Sequence, residues 1–204
     1  MFIVFTENFN CGILEGAAGT GKTWMFMLKI PVIVRTSPVP VLLIAPHPHT
    51  IRCKKLLTNS YDVYETDVLP VPAHVTARVL IMDGAKFFPD DIQVCAQNCQ
   101  EASKYHVFID DGHKYDEQIR ACSEHVERLF SSTTNVRLIS YDRMQQTDPS
   151  DSFLTSTTLP KYEFTGVLRN TVEVAEAVEV VRQKRDDIWK ITTSTISTGH
   201  MIQG

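Results

Sequence analysis

Eight residues, Gly16-Ala-Ala-Gly19-Thr-Gly21-Lys22-Thr23, restrict this chain more than any other stretch. They satisfy the pattern G-x-x-x-x-G-K-T, follow a short apolar segment containing Ile13 and Leu14, and run into a helical pattern of Trp24, Met25, Met27 and Leu28. A loop of this kind needs a buried strand before it and a helix N-terminus after it. The glycines let successive backbone N–H groups turn inward, and the helix dipole adds to the cradle they form. Such a cradle suits a triphosphate. Gly16, Ala17, Ala18, Gly19, Thr20 and Gly21 are expected to supply backbone donors, Lys22 a charge against the β- and γ-phosphates, and the Thr23 hydroxyl a ligand for Mg²⁺. ATP is the expected nucleotide.

The rest of the chain reads as the α/β surroundings this loop requires. Apolar runs at Gly12–Glu15, Val41–Ala45, Val79–Met82, His106–Asp110, Val136–Tyr141 and Phe164–Leu168 read as strands. Most lack polar alternation, as a parallel sheet covered on both faces demands. Helical patterns at Lys22–Ile30, His49–Thr58, Pro89–Lys104, Asp116–Ser131 and Thr171–Ile188 separate them. The expected fold is a three-layer α/β sandwich with a mostly parallel sheet and its ligand at the carboxyl ends of the strands. Residues 1–190 are expected to form this domain. Residues 191–204, rich in Ser, Thr and Gly, read as a linker-like tail toward a second core domain absent from the chain.

Composition agrees with this reading. Of 204 residues, 43% are apolar and 22% charged, with a net charge of -4, which excludes disordered, collagenous and coiled-coil classes. The longest uncharged run, Ser37–Ile51, carries four prolines and falls short of the ~20 apolar residues of a membrane span. Met1–Phe5 is apolar but lacks a basic flank and a cleavage site, so an intracellular location, cytoplasmic or nuclear, is expected. Cys11, Cys53, Cys95, Cys99 and Cys122 form no paired framework and read as reduced, mostly buried thiols. Cys95, Cys99, Cys122, His113 and His125 offer metal-ligand chemistry, but without the closely spaced pairs of a structural zinc site.

A second acid is expected where an apolar strand ends beside the loop. His106-Val-Phe-Ile-Asp110-Asp111 provides two, with Asp110 as the Mg²⁺-organising carboxylate and Asp111 as the group that orients or deprotonates water. Gln145, after Leu138-Ile-Ser-Tyr-Asp142, is a candidate γ-phosphate sensor, and Arg169, between a strand and a helix, a candidate arginine supplied in cis.

Taken in order, GAAGTGKT, VLLIAPHPHTIR, VFIDDGHKYD, LISYDRMQQ and FTGVLRNTVEVAEAV resemble the motifs of superfamily 1 helicases over residues 10–190. Asp142-x-x-Gln145 followed by Leu168-Arg169-Asn170 looks most like the helicase-like domain of Schlafen proteins. The resemblance implies a P-loop ATPase core with a mostly parallel RecA-like sheet, a single-strand nucleic acid contact in the second motif, a glutamine sensor in the fourth and a phosphate-contacting arginine in the fifth. The Arg52, Lys54 and Lys55 cluster lies in that second motif. Where the family writes Asp-Glu-Ala-Gln, this chain has Asp110-Asp111-Gly112-His113, so the catalytic carboxylate is one methylene short. Weak hydrolysis is the expectation. The alternatives are a nucleotide-gated interaction module that does not hydrolyse ATP, and a small-molecule P-loop kinase, although the chain has no arginine-rich lid.

Overall fold

The computed structural model describes residues 10–131, 134–142, 145 and 152–164. Seven strands form one sheet: β1 (Cys11–Gly16), β2 (Val41–Ala45), β3 (Val63–Thr66), β4 (Val79–Asp83), β5 (His106–Ile109), β6 (Arg137–Tyr141) and β7 (Lys161–Phe164). Their order is β3-β4-β2-β5-β6-β1-β7, and every pairing is parallel. β2, with all five residues buried, shows why: Val-Leu-Leu-Ile-Ala has an apolar group for each face.

Parallel neighbours need crossovers, and these cover both faces. On one lie α1 (Lys22–Thr36) and α2 (His47–Thr58), where Met25, Phe26, Ile30, Ile33, Cys53 and Leu57 pack on Leu14, Leu43, Ile81 and Phe108. On the other lie α3 (Gly84–Phe87), α4 (Ile92–Ala102), α5 (Asp116–Ala121), α6 (Ser123–Phe130) and α7 (Phe153–Ser156), filling a core with Phe87, Cys95, Ile119, Phe130 and Phe153. This is the three-layer α/β sandwich expected of a RecA-like domain.

The element boundaries differ from expectation in instructive places. α1 does not stop at Ile30 but continues through Pro31 to Thr36. Proline removes one backbone hydrogen bond, yet Ile30 and Ile33 on either side of it are buried, and their packing carries the helix on. The helix expected over Pro89–Lys104 begins only at Ile92, because the Asp91 side chain accepts from the Gln93 and Val94 N–H groups and caps it. The single helix expected over Asp116–Ser131 is two, α5 and α6, broken at Cys122. β7 starts at Lys161 and not at Phe164. Sequence reading also missed β3, α3 and α7.

The expected helix Thr171–Ile188, the residues beyond Phe164 of the last expected strand, the tail 191–204 and Met1–Phe5 lie outside the described residues. Among the described residues, no helix is long and apolar enough to cross a membrane.

Candidate functional site

The sheet register assembles the site. Ile44 of β2 lies opposite Ile109 of β5, and the Asp110 N–H donates to the Ile44 carbonyl at 2.7 Å, so the segments leaving β2 and β5 start side by side. β6 flanks β5 on its other side, then β1 with the glycine loop. Four carboxyl-terminal strand ends therefore meet in one place.

The loop after β1 turns sharply at Gly19 (φ 82°) and Gly21 (φ 93°), left-handed conformations that a side chain would strain. Gly21 is also the residue from which α1 starts; no side chain caps it, so the first-turn N–H groups keep their donor capacity for an anion. Lys22 is buried and its ammonium donates to the Gly16 (2.5 Å) and Ala17 (2.9 Å) carbonyls, spanning the loop from inside.

Next along α1, the Thr23 hydroxyl hydrogen-bonds the Asp110 carboxylate at 3.0 and 2.9 Å. Asp110 is 0% exposed. Burial alone would raise the pKa of this carboxyl, but hydrogen bonds from His49, Ser140 and Thr23 outweigh it and hold the group below the usual carboxylate range. It is anionic at neutral pH. The Ser140 hydroxyl on β6 donates to Asp110 Oδ1 at 2.8 Å and accepts the Asp111 N–H at 2.8 Å, tying both acids to the neighbouring strand.

Asp111 has φ 51° and ψ 46°, the left-handed region that Asp tolerates better than most residues. This turn aims its carboxylate at His49, whose Nδ1 lies 3.2 Å from Asp111 Oδ2 and 3.5 Å from Asp110 Oδ2. Lys114 Nζ approaches Asp111 Oδ2 at 3.6 Å. The close Asp110 carboxylate, with Asp111 behind it, raises the His49 pKa against the effect of burial. His113, by contrast, is buried and its pKa is pushed down, chiefly by desolvation, with the charges of Asp111, Asp142 and Lys22 within reach. Its Nδ1 accepts the Asp142 N–H at 3.3 Å.

Of the expected site residues, Gly16 to Thr23, Asp110 and Asp111 come together. Gln145 stands beyond β6 and its amide donates to Asp142 Oδ2 at 2.6 Å, so that side chain is engaged within its own turn. Arg169 lies outside the described residues. Sequence reading gave His49 little weight and did not single out Ser140. Ser140 had a signal, a hydroxyl inside an otherwise apolar buried strand; His49 had none beyond the Pro-His-Pro-His turn, which proves to be the first turn of α2. The expected basic cluster is divided: Lys54 pairs with Glu65 at 2.8 Å, whereas Arg52 lines a cleft of about 400 Å³ with Thr23, Trp24, Met27, His49 and Leu56.

The cysteines are free, with Cys11 partly buried and the other four buried, as expected. Cys95, Cys99 and Cys122 gather their sulfurs within 4.8 Å of one another in the core.

The chain matches no protein-family model and no curated protein sequence. Solved structures with a similar fold include an arterivirus nonstructural protein 10 helicase in complex with DNA, 16% identical over 90% of this chain and 42% of its own, with a TM-score of 0.49. A Sulfolobus solfataricus SWI2/SNF2 ATPase core in complex with dsDNA is 13% identical over 70% of this chain and 29% of its own, with a TM-score of 0.48. The UvsW helicase of bacteriophage T4 is 10% identical over 76% of this chain and 54% of its own, with a TM-score of 0.47. The chain thus spans between about a third and about half of the length of these proteins. At such identities, function has to be argued from the site itself.

Proposed function

We propose that residues 1–190 form an ATP-binding, weakly ATP-hydrolysing core domain of a helicase-like protein. The observation that carries this reading is the hydrogen bond from Thr23 to Asp110, which joins the start of α1 to the end of β5 beside the loop that turns at Gly19 and Gly21. No structural need puts a carboxylate with 0% exposure there. An anionic phosphate chain with a cation gives the pair a purpose.

The donor set suits Mg²⁺: a hydroxyl and a carboxylate are hard oxygen ligands, and their separation of about 3 Å is that of neighbouring ligands around a cation ~2.1 Å away. Thr23 and Asp110 would hold it, and it would neutralise charge on the phosphates. The chain's own residues do the rest. The loop amides and Lys22 bind the phosphates, Ser140 fixes Asp110, and Asp111 accepts a proton from, or orients, a water approaching the γ-phosphate.

Single-stranded nucleic acid is the proposed further partner. Supporting it are Trp24, 57% exposed, and Arg52, an aromatic face and a cation at the rim of the cleft. Unwinding would need a second RecA-like domain beside this one.

Phosphate release measured under single-turnover conditions tests the proposal, with and without a single-stranded oligonucleotide. Asp111→Asn keeps the left-handed backbone and removes the carboxylate, so hydrolysis falls about a hundredfold while ATP affinity stays within about threefold. Equal rates in the two proteins would remove Asp111 from the chemistry. That His49 and Lys114 both approach the Asp111 carboxylate favours the second reading, a nucleotide-gated module without turnover, which binding with no release in the wild type would support. Transfer of the γ-phosphate to a nucleoside instead of water would indicate the kinase.

A further inference from the structure

His49 has so far been only a partner of Asp110 and Asp111, yet it occupies a particular place. It sits in the first turn of α2, directly after β2, and the β2–β5 register brings that turn against the two acids. Its Nδ1 is buried against the Asp111 and Asp110 carboxylates, while the ring as a whole is 39% exposed and opens on the cleft beside Thr23.

The distances describe what would fit. An octahedral cation ~2.1 Å from each ligand spaces adjacent ligands by about 3 Å. His49 Nδ1 lies 3.2 and 3.5 Å from Asp111 and Asp110, and Thr23 Oγ1 lies 2.9 Å from Asp110. His49, Asp110 and Asp111 are moreover all within 4.8 Å of one another. One nitrogen has joined an oxygen set, and nitrogen changes the preference. Imidazole binds first-row transition cations well and Mg²⁺ poorly, because Mg²⁺ is hard and gives up its waters reluctantly.

We propose that His49 is a metal ligand of this centre and makes it select Mn²⁺ over Mg²⁺. The inference rests on the metal-nucleotide reading above but adds a ligand and an ion preference to it. The competing account makes His49 only a counter-charge to Asp110 and Asp111, occupying the place a cation would take. The two accounts differ in sign. Removing a ligand weakens Mn²⁺ binding; removing a competing charge strengthens it.

The test is titration of the 204-residue chain with Mn²⁺ without nucleotide, following the free ion by electron paramagnetic resonance, with Mg²⁺ as competitor. His49→Gln is expected to weaken Mn²⁺ binding by about tenfold or more while Mg²⁺ affinity changes by less than about threefold, so the preference collapses. The bound Mn²⁺ of the wild type should also show hyperfine coupling to a histidine nitrogen, shifted by ¹⁵N-histidine labelling and absent from His49→Gln and His49→Asn. Unchanged or tighter Mn²⁺ binding in both His49 variants, or no nitrogen coupling in the wild type, would overturn the proposal. Asp110→Asn separates the two levels: if it leaves Mn²⁺ binding unaffected, the metal is elsewhere and the functional reading falls as well. If it abolishes binding while the His49 variants do not, only the present inference fails.

Discussion

Lys22→Ala is expected to lower ATP affinity by about a hundredfold, the largest functional effect of any single change in the loop. A charge-assisted contact to a buried anion is worth about 1.5–3 kcal/mol, and in the proposed site Lys22, with only 7% of its surface exposed, would face two phosphate groups. It also ties the loop together through the Gly16 and Ala17 carbonyls, so its removal loosens the cradle that the amides form. Equilibrium binding of a fluorescent ATP analogue measures the loss, with thermal melting to show that the variant is folded. Affinity within about threefold of the wild type would mean that the phosphates do not sit over Lys22.

Phe108→Ala is expected to cost about 3–5 kcal/mol of folding stability and to lower the melting temperature by roughly 10 °C. Phe108 is 0% exposed in β5, one of the central strands, and its ring meets Phe26 edge-on with centroids 5.1 Å apart. Phe26 lies one turn along α1 from Thr23, so this aromatic pair seats the start of α1 against the strand that ends in Asp110. ATP affinity should fall with stability, because the Thr23–Asp110 contact depends on that seating. Urea denaturation checks the first effect, with Val94→Ala as a control expected to stay within about 0.5 kcal/mol, since Val94 is 42% exposed. A loss below about 1 kcal/mol for Phe108→Ala would show that α1 is not held on β5 by this contact.

The features that could be read from sequence are those in which backbone geometry demands a residue type. Gly19 and Gly21 adopt left-handed conformations, and their spacing from Lys22 and Thr23 revealed the loop. Asp110 was legible because a charged residue ending an apolar strand has few structural reasons to be there. β3 was not, since Val-Tyr-Glu-Thr is a short, half-polar strand that, among the described residues, pairs only with β4. Pro31 misled by local rule: it reads as a helix stop, and only the burial of Ile30 and Ile33 reveals why α1 runs past it. His49 was invisible for a different reason. Its partners lie in another strand–loop unit, and nothing local to Pro-His-Pro-His records that the β2–β5 pairing sets it beside Asp110 and Asp111.

The central claim is that Thr23 and Asp110 form a metal-assisted nucleotide site, and calorimetric titration of the chain with ATP, in Mg²⁺ and then in EDTA, tests it most directly. The account predicts binding that is at least about tenfold tighter with the cation, because the cation would offset the repulsion between the anionic Asp110 carboxylate and the phosphates. Equal affinity in the two buffers, or no binding in either, would contradict it.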